Sequence, residues 1–578
     1  MRAGLLFLVV TLTALTAQAA DEPPGLTLFN RNCAACHDHA QGRIPPTASL
    51  KLLPSTTILQ ALETGVMRTQ GESLNATDKT TLAAYLGVAQ AFTQTAGTQI
   101  CTEAQAGSDW PGWSPGAANW RFQPAEAAGL TVAQIPKLKL RWAIGLPATT
   151  NVRSQPTIWH GRLYIGAQDG SILSLNAQTG CTYWTTKVVA MVRTAVAIGI
   201  VNGQPVAVAG DVTGTLYALD ALTGKLLWKR RLGDHPATMI TATPVFHNDR
   251  LYAGTSSYEE VVAKDYVCCT FRGSISALNA ADGTIIWTTY TIPEPAKPQP
   301  DNAKGRKVLG PSGAGVWASA TVDAARNLLY VPTGDNYSDP PTAFSDALLA
   351  LDLDTGRLAW SKQLTKGDAY NTACNQKGAQ CPDSNGPDHD LGASPVLIGH
   401  TLLLGQKSGV MTTIDLDKKG EIVWQTRVGA GGPLGGIQWG PATDGKLVYV
   451  PVSDVGTKQP GGISALRVDT GAIVWQTPDP APHSAAVTAI PGVVFSGSLD
   501  AHMRAYNAES GKVIWDFNAS QEFPTINGIK AKGGAFDAAG PAVAGGMLFV
   551  GSGYGQWGGP AGNVLLAFSP EESPAPRD

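Results

Sequence analysis

One motif, repeated along most of the chain, sets what this sequence can fold into. It reads as an apolar strand, a turn closed in most copies by Thr-Gly or Asp-Gly, two or three residues, then Trp, and it recurs from residue 138 onward. Seven complete copies end in Trp184, Trp228, Trp287, Trp360, Trp424, Trp475 and Trp515. Most carry Asp or Asn ahead of the turn, whose Gly supplies the positive φ that a hairpin needs. A four-stranded unit repeated with a fixed Trp is the signature of propeller blades. Residues 563–568 supply one more strand with no turn or Trp after it, and the missing piece, Lys137-Leu138-Lys139-Leu140-Arg141-Trp142, stands at the start. Pairing the two ends builds an eighth blade and closes the ring, leaving few open sheet edges. The expectation is therefore an all-β eight-bladed propeller over 137–578, with seven blades as the alternative. The repeated Trp residues read as interblade packing, because a position that recurs in every blade serves structure.

The N-terminal part follows different rules. Arg2, the apolar run 4–14 and Ala17-Gln18-Ala19 read as a secretory signal over 1–20, cleaved near Ala19/Ala20. The run is shorter than the roughly 20 residues that span a bilayer, and no later segment is longer, so no membrane span is expected. Charged residues make up 15% of the chain and the net charge is −3, which argues against a nucleic-acid partner. Export to the periplasm places eight cysteines where disulfides and covalent haem attachment are both permitted. Cys33-Ala34-Ala35-Cys36-His37 is the haem c attachment pattern: two thiols on one helical turn add to the haem vinyl groups and His37 reaches the iron. A zinc site would need a second CxxC. Met67, the only methionine between the signal and residue 190, is the candidate sixth ligand, since His39 is too close to His37 to reach the opposite face. Asp78 with Leu82, Ala83 and Leu86 reads as the closing helix. This gives a small all-α cytochrome c domain over 21–95 and a linker over 96–136.

Stretches just ahead of the innermost strands occupy equivalent ring positions around the channel, yet they differ chemically: Arg153, Arg193, Trp317, Trp439 and His483. Functional positions break a repeat, and arginines with tryptophans at one mouth suit a flat, acidic, aromatic ligand. Cys374 and Cys381 bracket a short polar loop and read as a disulfide; Cys101 and Cys181 are the remaining pair, whose bridge would tie the linker to the first blade.

Beyond residue 110 the repeat, together with Cys268-Cys269-Thr270-Phe271-Arg272-Gly273, Gly315-Val316-Trp317-Ala318-Ser319, Pro332-Thr333-Gly334-Asp335-Asn336, the 386–395 loop and Gly405-Gln406-Lys407-Ser408-Gly409, resembles the pyrroloquinoline quinone (PQQ) dehydrogenases. With its CxxCH segment the chain is most similar to the cytochrome-type polyvinyl alcohol dehydrogenases. The resemblance implies PQQ, haem c and Ca²⁺ as cofactors and oxidation of a polymeric or small secondary alcohol. Electrons would leave to an external cytochrome c or quinone. It implies that Trp317 is the floor under PQQ, that Lys407 touches the quinone oxygens, and that Cys268-Cys269 is a vicinal disulfide against the cofactor. Arg153, Arg193, Arg272 and Trp439 would be further cofactor contacts. Asp388 falls where the family keeps its catalytic base and also near calcium, Asp335 where it keeps an Asn on calcium, and Asp390 is a further ligand or substitute base. One departure stands out: four residues before Arg272 the family's calcium-ligating Glu is replaced by Cys268, with Glu259 or Glu260 as substitutes from the adjacent loop. A related propeller serves as a non-catalytic scaffold, so fold alone leaves that alternative and a pure electron carrier open.

Overall fold

In a computed structural model the chain is described over residues 23–39, 47–51, 55–63, 67–87, 93–96, 101–104, 107–262, 267–376, 378–556 and 558–570. The signal read over 1–20 lies outside these residues. Eight antiparallel four-stranded blades follow one another around an axis: blade 1 over 157–187, blade 2 over 197–231, blade 3 over 245–290 and blade 4 over 321–363. Blades 5, 6 and 7 cover 396–427, 442–479 and 488–518. Blade 8 joins the two ends of the propeller, with Leu138–Gly145 antiparallel to Val564–Pro570. The ring closes in the register that the sequence ends imply, Trp142 opposite Ala567.

The repeated Trp is the joint between blades. Trp184 Nε1 donates to the Ala221 carbonyl of blade 2 (3.2 Å), Trp228 to Ala280 of blade 3 (2.9 Å) and Trp424 to Val468 of blade 6 (2.9 Å). The rings of Trp184, Trp228, Trp287, Trp360, Trp424 and Trp475 each lie on the turn Gly of the next blade. A Cβ on Gly471 would sit 2.4 Å from the Trp424 ring, and its φ is +69°, so glycine is required there twice over. Apolar clusters fill the spaces between neighbouring sheets, as with Tyr164, Trp184, Val196 and Leu219 between blades 1 and 2.

The stretch read as a linker is part of the propeller. Thr93–Ala96 is a strand paired antiparallel with Thr182–Lys187, the outer edge of blade 1, and Cys101 is disulfide-bonded to Cys181. Residues 110–123 then run through the hub. In an innermost strand the inward-facing backbone groups have no neighbouring strand, and this segment supplies partners for seven of the eight blades, all but blade 3. Trp110 pairs with Ile158 of blade 1, and the Pro111 carbonyl accepts from Ile198 of blade 2. Ala117, Ala118, Trp120 and Arg121 carbonyls accept from Val322, Leu397, Thr443 and Ala489 of blades 4 to 7. Gln123 Nε2 donates to the Val543 carbonyl of blade 8 (3.0 Å). Arg121, fully buried, pins the hub from inside. Its guanidinium donates to the Val487 and Trp113 carbonyls, Gln155 Oε1 and Thr488 Oγ1, and it stands 4.6 Å from the Trp113 ring.

The N-terminal part holds short helices, including Pro24–Asn32, Ala34–His37, Ser55–Glu63 and Ala76–Leu86, around Phe29, Leu62, Leu82, Ala83 and Leu86. The closing helix begins before Asp78, because Asn75 is its N-cap: Asn75 Oδ1 accepts the Asp78 N–H (2.8 Å). No helix among the described residues is long and apolar enough to cross a membrane.

Candidate active site

Loops of blades 3, 4 and 5 converge on a buried ionic centre. Asp335 follows Leu328–Pro332 of blade 4, Asp388 and Asp390 precede Val396–Ile398 of blade 5, and Lys407 follows Thr401–Gly405. Lys407 Nζ lies 2.7 Å from Asp388 Oδ1 and 2.8 Å from Asp390 Oδ2, and 5.6 Å from the Trp317 ring centroid. Asp390 is engaged at both oxygens, with Oδ1 accepting the Asp335 N–H (2.6 Å) and Oδ2 accepting Trp317 Nε1 (3.1 Å). It therefore fixes the plane of Trp317 and orients Lys407. Asp388 is held in a left-handed backbone conformation, φ +56°, by Asp368, whose carboxylate accepts the N–H groups of Asp388 (3.1 Å) and His389 (2.8 Å).

The electrostatics follow from burying several acids around one cation. Burial, with Asp390 and Asp388 beside it, raises the Asp335 carboxyl well above the ordinary range. Asp388 is also raised, by burial above all, with Lys407 opposing. Burial works against the Lys407 ammonium, yet Asp388, Asp390 and Glu260 together raise it well above the usual lysine range. Burial pushes Glu260 to about 7 although Lys407 opposes it. The two glutamates that sequence reasoning left interchangeable are thus separated. Glu260 belongs to the ionic centre. Glu259 turns to the loop of Cys268 and Cys269, where it accepts the N–H groups of Thr270 (2.8 Å) and Phe271 (2.7 Å).

A second group of residues lines a cavity: Trp113 from the hub, Arg153, Arg193, Trp317, Ser319 and Trp439. Trp317 and Trp439 meet edge to face with centroids 4.9 Å apart, and the Arg193 guanidinium stands 5.1 Å over Trp439. Asp537 accepts Trp439 Nε1 (2.9 Å), and burial raises its carboxyl against the pull of Arg153 and Arg193. Trp113 Nε1, Arg153 Nε, Arg193 Nε and Ser319 Oγ are buried without a hydrogen-bond partner. Orphaned donors in a tryptophan-walled cavity fit an acidic, planar cofactor.

Trp317 lies between this cavity and the ionic centre and joins them. Cys268 and Cys269 form a vicinal disulfide packed with Phe271 and Tyr337. Arg272 is not brought to either group: its guanidinium stands 3.9 Å over Tyr290 and donates to the Ile292 and Pro293 carbonyls. His483 is buried, its Nδ1 2.8 Å from Ser496 Oγ. Trp113, Gln155, Asp368 and Asp537 were not singled out from sequence. Gln155 and Asp537 had a signal, since they stand ahead of the innermost strands of blades 1 and 8 as Trp317 and Trp439 do in theirs.

Residues 110–379 match the family described as glucose/ethanol/alcohol dehydrogenase, beta-propeller domain, and 406–531 and 459–572 match outer membrane protein assembly factor BamB. A polyvinylalcohol dehydrogenase of Pseudomonas sp is 36% identical, over 98% of this chain and 96% of its own length. That of Sphingopyxis sp. (strain 113P3) is 38% identical over 96% and 94%. The chain belongs to the polyvinyl alcohol dehydrogenase family. It is an enzyme of the PQQ-dependent alcohol dehydrogenase class. The crystal structure of quinohemoprotein alcohol dehydrogenase from Comamonas testosteroni shares the fold, with TM-score 0.60 and 19% identity over 81% of this chain and 82% of that one.

The residues present also suit the other groups expected of the family. Asp335, Asp388 and Asp390 each offer an oxygen within 4.8 Å of the others, and Asp335 Oδ2 is buried and unpartnered. Such a carboxylate set fits a hard divalent cation. Cys33 and Cys36 are the only cysteines outside disulfides among the described residues, His37 is buried, and Met67 packs on the same small core as Cys33.

Proposed function

We propose that this chain oxidises secondary alcohols, polyvinyl alcohol foremost, to ketones in the periplasm, with PQQ, Ca²⁺ and haem c as cofactors. An external cytochrome c or quinone takes the electrons. When bound, PQQ supplies the two-electron oxidant, Ca²⁺ a Lewis acid, and haem c a one-electron relay.

The chain's own part rests on one observation: Asp388, Asp390 and Lys407 are locked together beside Trp317. Asp388 takes the proton of the substrate hydroxyl; its raised carboxyl makes it a stronger base than an exposed aspartate once ionised. Lys407 opposes that rise and presents positive charge where oxygen charge develops. Asp390 orients both Lys407 and Trp317. Asp335, Asp388 and Asp390 are the residues that would hold the cation, and Arg153, Arg193 and Trp439 those that would hold the acidic end of PQQ. Cys33 and Cys36 would carry the haem, with His37 and Met67 on its iron. A scaffold has no use for two buried aspartates paired to one lysine, which sets the assembly-factor likeness aside as a likeness of blades.

The test is an absorption spectrum of purified protein before and after polyvinyl alcohol, with PQQ and Ca²⁺ supplied. Haem reduction that requires all three is expected. Reduction by small secondary alcohols but not by the polymer would overturn the substrate, and no reduction by any alcohol would overturn the mechanism.

A further inference from the structure

Glu259 is fully buried and lies where the proposed alcohol oxidation gives it no part. Its carboxylate binds two successive amides, Thr270 and Phe271, immediately after the vicinal cysteines. One carboxylate oxygen and both sulfurs lie within 4.8 Å of one another. With both sulfurs in a disulfide and the carboxylate spent on amides, this is no metal site. His235 stands on the other side: its Nδ1 accepts the Ala237 N–H (3.1 Å), leaving Nε2 to face Glu259 Oε1 (3.4 Å) and Thr270 Oγ1 (3.1 Å).

We infer that Glu259 is a positioning residue that keeps the Cys268–Cys269 bond oxidised, so that electrons taken from alcohol are not lost into it. Reducing the bond takes two electrons and two protons from a dithiol or a quinol, breaks one S–S bond and yields two thiols. The attack passes through a thiolate, and the first sulfur released would carry negative charge beside a buried carboxylate, which like charge disfavours. The same carboxylate fixes the loop through its amides, so the sulfurs cannot move away from it. The inference rests on the quinone-dependent reading for its purpose, but its physical content is a property of the protein without cofactors.

The experiment is therefore done on full-length protein free of PQQ and alcohol. It is equilibrated in dithiothreitol buffers of graded potential, and the Cys268–Cys269 peptide is read by differential alkylation and mass spectrometry. Glu259→Gln keeps an amide acceptor and removes the charge, and His235→Lys sets a cation against the carboxylate without touching the clamp. Both are expected to favour the dithiol by at least tenfold, equivalent to ~30 mV for two electrons. A wild-type midpoint in the folded variants overturns the inference, as does an equal shift in Glu259→Asp, which keeps the charge. The separate loss of alcohol-dependent haem reduction in wild type would overturn the functional reading and leave this one standing.

Discussion

At the level of single residues, the division of labour between two neighbouring aspartates decides the chemistry. Asp390 has both oxygens committed, to Asp335 and Trp317, while Asp388 contacts Lys407 through Oδ1. Asp388→Asn is expected to lower kcat by about 10²- to 10⁴-fold with PQQ still bound, checked by turnover alongside fluorescence titration of the cofactor. Near-normal turnover with bound PQQ would remove Asp388 as the base. The same acids give the metal-free protein a distinct pH response. Glu260 rises to about 7 from an ordinary 4.5, so its folded form holds a proton that the unfolded chain gives up. Stability must then fall as pH climbs from about 4.5 to 7 and level off above, and Asp335 extends the fall in the same direction. Thermal melts across that range should show the decline without Ca²⁺ and a flatter curve with it. Trp317 and Trp439 were legible because they break the blade repeat, whereas Asp388, Asp390 and Lys407 were legible only through the resemblance of their loops to the PQQ dehydrogenases. The roles of Glu259 and Glu260 were not, since adjacent residues on one short helix turn to different neighbours and only the packing of the loop at Cys268–Cys269 tells them apart.

At the level of elements, the repeat carried nearly all the information. The turn glycines and the Trp after them specify not only each hairpin but the joint to the next blade, because the glycine of one sheet is where the indole of its neighbour rests. Trp424→Ala is expected to cost about 3–5 kcal/mol, read by chemical denaturation, through loss of the packed ring and its bond to the Val468 carbonyl. A loss below about 1 kcal/mol would show that the joint is redundant. The eighth blade was legible for the same reason: a strand without a Trp at one end and a Trp strand without its sheet at the other. The stretch 96–136 reads as a linker in the sequence because it has neither period. The strand at its start joins blade 1 through backbone bonds, and its hub portion binds through carbonyls, so the pairing leaves no mark on side-chain pattern.

At the scale of the whole molecule, the propeller is organised from its axis as well as from its blades. Arg121 links the hub to blades 1 and 7 through Gln155, Val487 and Thr488, and cutting it back strands several buried acceptors at about 1–3 kcal/mol each. Arg121→Met should therefore shorten the half-life at elevated temperature and speed exchange of the Ile158, Leu397 and Ala489 amides together; exchange at one blade alone would refute a shared axle. A further consequence concerns how such a protein can change over evolutionary time. Radial repeats are commonly thought of as units that duplicate or drop out freely. Here a single stretch bonds to seven of the eight blades in chain order, from blade 1 at Trp110 to blade 8 at Gln123. Deleting the seventh blade would leave the Arg121 carbonyl without the Ala489 N–H it accepts. The segment is cut to the length of this ring, so a change in blade number would call for a matching change in the segment that ties the blades together.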